Sequence, residues 1–265
     1  MDKLSKLMNT KTHATKAAKV NGVSLGMFNS PVNGYLIELI ALFTGNKKTG
    51  DMIQLSVLPV GGDIADDTEG RAAICGTCPH VALGSCYAYD QGLFSMMKAF
   101  RKGSYKSMEL ETFLTIAKTR KIRFGRFGDI SLLPFNLVQE IAINCAGFTG
   151  YTNQWRSKHY DSRFNELFML STLGSKDSKQ ASKKYPDARQ FKVINTEVDY
   201  INNAEQGTIT CPSENGFNCN ECLLCDGGAA GVSGVDIEIK AHGLDYKSKR
   251  INRMLKSDLI AFTAI

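Results

Sequence analysis

Apolar and polar positions along this 265-residue chain follow two periods, and they alternate from one segment to the next. Residues 53–58 (Ile-Gln-Leu-Ser-Val-Leu) read as a strand. Short strand-like runs follow at 122–127, 148–152, 167–172, 191–195, 208–210 and 236–240. Helical spacing appears between them. Leu110, Phe113, Leu114 and Ala117 fall at i, i+3, i+4 and i+7, which predicts a helix capped by Ser107 with Glu109 and Glu111 in its first turns. Pro134 suits the first turn of another helix, whose face carries Leu137, Val138, Ile141 and Cys145. That placement makes Cys145 a core thiol, not a ligand. Residues 174–190 read as a solvated helix or loop, and 246–261 as a closing helix. The stretch 34–44 fits a short helix or a strand, and 61–70 is a polar loop.

Strands alternating with helices imply an α/β fold with a parallel sheet and helices outside it. The number of strands suits a full or partial (β/α) TIM-like barrel, in which chemistry collects at the C-terminal face of the strands. Asp129, Tyr151, Ser171, Asn195, Cys211 and His242 each fall at or just after a strand end, so a barrel gathers them on one face. The expected organisation is a weakly ordered basic segment, 1–30, followed by one barrel-like domain, 31–265.

Composition narrows the class. Apolar content of 43% and charged content of 22% are ordinary for a globular protein. The longest apolar run, 35–44, contains Glu38 and is too short to span a membrane. No apolar segment follows the N-terminal lysines, so no signal peptide is expected. The net charge of +6 draws partly on Lys3, Lys6, Lys11, Lys16 and Lys19 near the N-terminus, which suits a solvated terminus. Nucleic-acid binding finds no supporting motif.

The cysteines change the picture most. Cys211, Cys219, Cys222 and Cys225 fall within fifteen residues, and the last three form a C-x2-C-x2-C run. That run suits an iron–sulfur cubane, as in bacterial ferredoxins, whereas structural zinc usually takes two separated C-x2-C pairs. A second group, Cys75-Gly-Thr-Cys78-Pro-His80 with Cys86, has C-x2-C-x7-C spacing and no fourth cysteine nearby. A 4Fe-4S cluster on three thiolates leaves one iron open to water or substrate. Zinc held by these three cysteines and His80 is the alternative. Two clusters are therefore expected, at Cys211, Cys219, Cys222 and Cys225 and at Cys75, Cys78 and Cys86. Such spacing without an export signal points to a reducing cytosol.

Three other residues are candidates for catalysis. His242, before Gly243 at a strand end, suits acid–base work. Asp129 could orient water or substrate, or serve as a helix-start carboxylate or a partner of Arg123 or Arg126. Tyr151 could wall a substrate pocket, and Trp155 fits a core position.

The ordered set of Asn46-Lys-Lys-Thr-Gly50, the Cys75 to Tyr87 segment, Arg123-x-Gly-x-x-Gly-Asp129, Thr149-Gly-Tyr-Thr-Asn-Gln-Trp155, the Cys211 to Cys225 run and Ala241-His-Gly243 resembles an uncharacterised family of phage cysteine-motif proteins. The resemblance spans about residues 45–245 and departs at Asn153, where many relatives carry histidine. It implies a phage gene, an iron–sulfur protein and the cytoplasm of an infected host cell, in a fold similar in outline to radical-SAM partial barrels. The C-x2-C-x7-C spacing differs from the C-x3-C-x2-C motif of radical-SAM enzymes, and fold analogy does not fix chemistry. Three functions follow as expectations. The first is a Lewis-acid enzyme that hydrolyses a thioester or another activated acyl compound at the open iron, with Asp129, Tyr151 and His242 assisting and a small-molecule substrate. The second is a radical-SAM-like enzyme. The third is a non-catalytic iron–sulfur or zinc protein that binds a host partner or nucleic acid.

Overall fold

A computed structural model of the chain describes residues 21–61, 67–88, 91–197, 207–228 and 235–257. Strands β1 (Gly22–Asn29), β2 (Leu36–Leu42) and β3 (Ile53–Pro59) form an antiparallel meander. After it come α1 (Thr68–Cys75), α2 (Pro79–Ala82), α3 (Gln91–Arg101), β4 (Lys106–Ser107), α4 (Leu110–Ala117) and β5 (Ile122–Phe127). The chain continues through α5 (Phe135–Ile143), β6 (Phe148–Thr149), β7 (Tyr151–Thr152), β8 (Met169–Leu173), α6 (Gly174–Lys184) and β9 (Gln190–Ile194). It closes with β10 (Thr208–Thr210), α7 (Cys219–Cys222), β11 (Asp236–Lys240) and α8 (Asp245–Ser257).

Two sheets result, in the orders β4-β1-β2-β3-β5-β6 and β10-β11-β9-β8-β7. Pairing is parallel from β3 to β5 to β6, and from β7 through β8, β9 and β11 to β10. The α/β class with mostly parallel strands is therefore established. Strands β6 and β7 are one stretch divided at Gly150, whose N–H donates to the Cys225 carbonyl and whose carbonyl accepts from Met169 N–H. A Cβ at this position would collide with the Phe168 ring, so only glycine lets the two sheets meet here.

A full barrel is not formed among the described strands. The far edge of β3 is taken by β2 in antiparallel pairing, which blocks ring closure through that strand. The expected weakly ordered segment, 1–30, also needs correction. Residues 1–20 lie outside the described residues, but 22–29 form β1, and Val23 and Leu25 enter the core. The ambiguous stretch 34–44 contains β2, whose residues are mostly buried; apolar positions facing both ways leave no period to read. Ser107 caps no helix. It lies in β4, paired with β1, and α4 starts three residues later behind Glu109.

The helix stripes fill the core as expected. Phe113, Leu114 and Ala117 of α4 and Val138 and Ile141 of α5 are buried against the sheet. Phe124, Phe148, Phe164 and Phe168 form a chain of ring contacts where the two sheets join. No helix among the described residues is long and apolar enough to cross a membrane.

Candidate functional site

Residues along and just beyond β5, β9 and β11, with Cys211 just after β10, line a cavity of about 480 Å³. That volume falls in the range of small-molecule sites. All three cysteines of the first group line it, as do Cys211 and Cys219 of the second. Asp129, Tyr151, Ser171 and His242 line it too. The topology thus brings together residues separated by most of the chain. Asn195, expected on the same face, is not part of the lining and instead accepts from Glu197 N–H.

The first cysteine group sits where two helices end and begin. Asp67 caps α1 by accepting from Gly70 N–H, and Cys75 closes that helix. Gly76 ends it with φ 47°, and a Cβ there would collide with the Gln154 amide. Cys78 then starts α2, with Pro79 in its first turn. Gln154 binds this loop to β7, donating to the Cys75 carbonyl at 2.7 Å and accepting from Thr77 N–H at 3.2 Å. Cys86 is tied from the other side, its carbonyl accepting from the buried Lys247 ammonium at 2.7 Å. Burial pushes the Cys75 thiol well above its ordinary value and the Cys78 thiol up to about 12, and the neighbouring thiols add to both effects.

Asp129 is the hub beneath this loop. Its carboxylate accepts from Ser131 N–H and Oγ–H, Thr152 Oγ1–H, Asn153 N–H and Gln154 Nε2–H, at 2.8–3.3 Å. Burial nonetheless raises its pKa against the pull of those donors. Neither Arg123 nor Arg126 forms an ion pair with it among the described residues.

The second group is braced by cations. Cys211 follows β10 and its N–H donates to the Glu238 carbonyl. Asn218 and Glu221 form a reciprocal cap at the start of α7, and Cys219 N–H donates to the Lys48 carbonyl. Leu223 ends the turn in the left-handed region, φ 56°, which swings Cys225 inward. The buried Arg189 guanidinium then pins the loop by donating to Asp226 Oδ1 and to the carbonyls of Leu224, Gly227 and Val235. Lys121 donates to the Asn220 carbonyl at 2.6 Å.

Arg123, on β5, is the unusual member of this wall. Its guanidinium lies 4.7 Å from the Tyr151 ring centre, beside the thiols of Cys219 and Cys225. Burial works against its charge, but Tyr151, Cys219 and Cys225 outweigh that and raise its pKa. No carboxylate pairs with it among the described residues, and its Nε–H is buried without a partner. Burial also raises the Cys225 thiol and the Tyr151 hydroxyl. Protonated thiols would leave the half-buried Arg123 charge without a compensating anion among the described residues. Thiolates bound to metal remove that conflict.

His242 faces Lys48 across the cavity mouth. Its Nδ1 lies 2.8 Å from the Lys240 carbonyl, which makes Nδ1 the protonated nitrogen. Nε2 then accepts from Lys48 Nζ at 2.6 Å. Burial first, and Lys48 second, lower the His242 pKa. Tyr87 stacks on the His242 ring at 4.9 Å and meets His80 edge-on at 5.3 Å. His80 is buried with Nδ1 2.9 Å from Ser85 Oγ, and its pKa falls to about 4 through burial.

Sequence reasoning placed the seven cysteines, Asp129, Tyr151 and His242 near one another but missed Lys48, Arg123 and Gln154 as site residues. Arg123 carried a readable signal: a charged residue inside a strand that also holds Phe124 and Phe127. Trp155 is core, as expected, with its Nε1–H donating to the Ser171 carbonyl. Cys145 is held by Ala142 and Gly147 carbonyls and lies off the cavity wall. Among the described residues, no group of three or more His, Cys, Asp or Glu side chains is arranged to hold a single metal ion. No family model matches this chain, and no curated protein or solved structure matches it.

Proposed function

We propose that the chain is an iron–sulfur enzyme with two 4Fe-4S clusters, one on Cys211, Cys219, Cys222 and Cys225 and one on Cys75, Cys78 and Cys86. Its reaction is non-redox hydrolysis of a thioester or another activated acyl compound. The observation that carries this reading is Arg123, a half-buried cation with no carboxylate partner among the described residues, set against the second thiol group on the wall of a cavity that both groups share. An anionic metal–thiolate centre supplies the counter-charge. Spacing favours clusters over zinc. A single zinc ion needs its sulfurs about 3.8 Å apart, as follows from Zn–S bonds of about 2.3 Å. A cubane bonds each thiolate to a different iron and accepts a wider set.

A cluster held by Cys75, Cys78 and Cys86 would supply a Lewis acid able to polarise a carbonyl or acidify water. Water adds its oxygen to the acyl carbon, the acyl–sulfur bond breaks, and the thiol leaves with a proton. Asp129 holds the Cys75 loop through Gln154, and its occupied acceptors make it an organiser of the site. Tyr151 packs on Phe191, both on the cavity wall, and lies beside Cys225. Lys48 and His242 are the pair able to carry a proton at the mouth. The motif resemblance makes this a phage product acting in the host cytoplasm.

Anaerobic purification should give about eight irons and eight sulfides per chain. The loaded protein should hydrolyse members of an ester and thioester panel, and Cys86→Ala should not. Stoichiometric zinc without a brown chromophore, or equal rates from loaded and apo protein, would sink the proposal. The parallel arc from β3 to β10 favours a second reading, a partial (β/α) barrel of radical-SAM type. Release of 5′-deoxyadenosine by the reduced protein would promote it.

A further inference from the structure

Helix α8 leaves directly from the cavity mouth. His242 lines the cavity, and α8 starts shortly after it, at Asp245. The helix is fastened along the first cysteine segment. Lys247 Nζ donates to the Cys86 carbonyl at 2.7 Å, and Arg250 donates to the Gly84 carbonyl at 2.9 Å. The inner face of α8 carries Lys247, Ile251 and Met254, all buried. The outer face carries Tyr246, Lys249, Arg250, Arg253 and Lys256, whose spacing of three and four residues sets them on one stripe. All of them are exposed, Tyr246 by 51%. The Arg250 guanidinium lies 5.5 Å from the Tyr246 ring centre, so ring and charge sit side by side.

The stripe continues onto α6. Leu255 of α8 abuts Gly174, the first residue of α6, where a Cβ would meet it at 2.6 Å. Helix α6 carries Lys176, Lys179 and Lys183 at i, i+3 and i+7, all exposed. Its acid, Asp177, is turned inward and buried on Arg156. A face built only for solubility interleaves both signs. Here the acids on the two stripes are Asp245 and Glu197, paired with Lys249 and Lys256 in exposed ion pairs that contribute little and exchange readily. Lys179, Lys183 and Arg253 pair with no carboxylate among the described residues.

We infer that α8 and α6 form one basic track for the sugar–phosphate backbone of a single-stranded nucleic acid, leading to the cavity mouth. Backbone binding is set by charge and needs no recognition motif. A cavity of about 480 Å³ is far too small for a duplex, so only a single strand can present a group to it. An exposed ring on a basic stripe is a stacking platform for the bases of such a strand. The track goes beyond the hydrolytic reading and does not rest on it.

The test is fluorescence anisotropy of the anaerobically loaded protein with labelled single strands of RNA and of DNA and with a duplex, each about 20 nucleotides long, from about 50 to about 200 mM salt. Single strands should bind, the tighter of the two identifying the sugar. About five neutralised phosphates should give a slope of about −3.5 in log affinity against log salt, a loss of about a hundredfold over that range. Lys179→Gln and Arg253→Gln should each weaken binding roughly threefold to tenfold and make the slope shallower by about 0.7. Tyr246→Ala should weaken single-strand binding about fivefold or more and leave duplex binding nearly unmoved. Lys118→Gln, at the exposed end of α4, should change nothing and so separates the track from net charge. No binding at the lowest salt, or equal losses from Lys118→Gln and Arg253→Gln, overturns the track. Tighter binding to phosphatidylserine vesicles than to either strand does so too and gives the face to a membrane. Equal affinity for duplex and single strand, with Tyr246→Ala silent, overturns the single-strand assignment. Strand binding by a protein that takes up no iron sinks the cluster reading and leaves the track standing. Iron-dependent thioester hydrolysis with no strand bound does the reverse.

Discussion

The two cysteine groups present the same donor atom in different surroundings. Around Cys75, Cys78 and Cys86 the fixing contacts are the Gln154 amide, the Thr77 backbone, the α2 turn and one cation, Lys247 on the Cys86 carbonyl, above the buried Asp129 carboxylate. Around Cys211, Cys219, Cys222 and Cys225 they include three cations, Arg123, Arg189 and Lys121. The first group gives all three of its cysteines to the cavity wall, and the second gives two of its four. A centre that is cross-braced, charge-compensated and partly turned away from the cavity is suited to holding the fold. On the proposed reading, one that gives all three of its thiols to the cavity is suited to meeting a substrate. Surroundings, more than ligand identity, therefore divide the labour between them.

The largest expected effect breaks the braced side. Arg189→Met removes four hydrogen bonds and takes the guanidinium away from the buried Asp226 carboxylate. Breaking one partner of a buried pair costs about 3–5 kcal/mol. Denaturant unfolding should show that loss, and iron should fall to roughly half, since one 4Fe-4S centre would be lost. A variant that keeps full iron and stability would show that the brace is idle. Next in size is Gln154→Leu on the Cys75 side, which removes one of two donors from the Cys75 carbonyl, Cys78 N–H remaining, and leaves the Thr77 N–H without its acceptor. Each buried group left unpaired costs about 1–3 kcal/mol, and iron should leave the first centre while the second stays full. Loss of the second centre instead would reverse the comparison.

A smaller effect reads the mouth between the two groups. His242 titrates below its ordinary value because burial and Lys48 favour the neutral ring. Its folded pKa lies below its unfolded one, so the unfolded chain binds the proton more readily in between. The stability contributed by neutral His242 is thus complete above about pH 6.5, the unfolded histidine value, and is lost as pH falls through the folded value. Unfolding curves from pH 7.5 to 5 should slope downward for the wild type and less so for His242→Gln. Identical slopes would mean that the ring is not held by Lys48 and Lys240.

Much of this comparison was legible in the chain itself. Ligand spacing is local, so both cysteine groups could be read directly. The parallel strands were readable because strand and helix periods alternate. Strand β1 was hidden by its small residues, Gly22, Ser24 and Gly26, and β2 by apolar positions on both faces. Arg123 and Lys48 were opaque for another reason. Their roles come from what they face, Cys219 for one and His242 for the other, and those partners lie 96 and 194 positions away. Spacing reports neighbours along the chain, while charge compensation is settled across the fold.

The smallest expected effect sharpens the count of ligands. Cys145 is the eighth cysteine, and a fourth thiolate for the first group would close its open iron and end the division of labour drawn above. Its position argues against that role. The thiol sits at the end of α5, donates to the carbonyls of Ala142 and Gly147 at 3.3 and 3.4 Å, and packs on the main core. Burial raises its pKa, so it stays protonated and a poor ligand at neutral pH. Serine preserves both hydrogen bonds at a cost under about 1 kcal/mol. Cys145→Ser should therefore keep about eight irons per chain and the hydrolytic activity of the loaded protein. Loss of about four irons from this variant, with Cys211, Cys219, Cys222 and Cys225 untouched, would transfer Cys145 to the first group and require a rearranged α5 when the cluster is present.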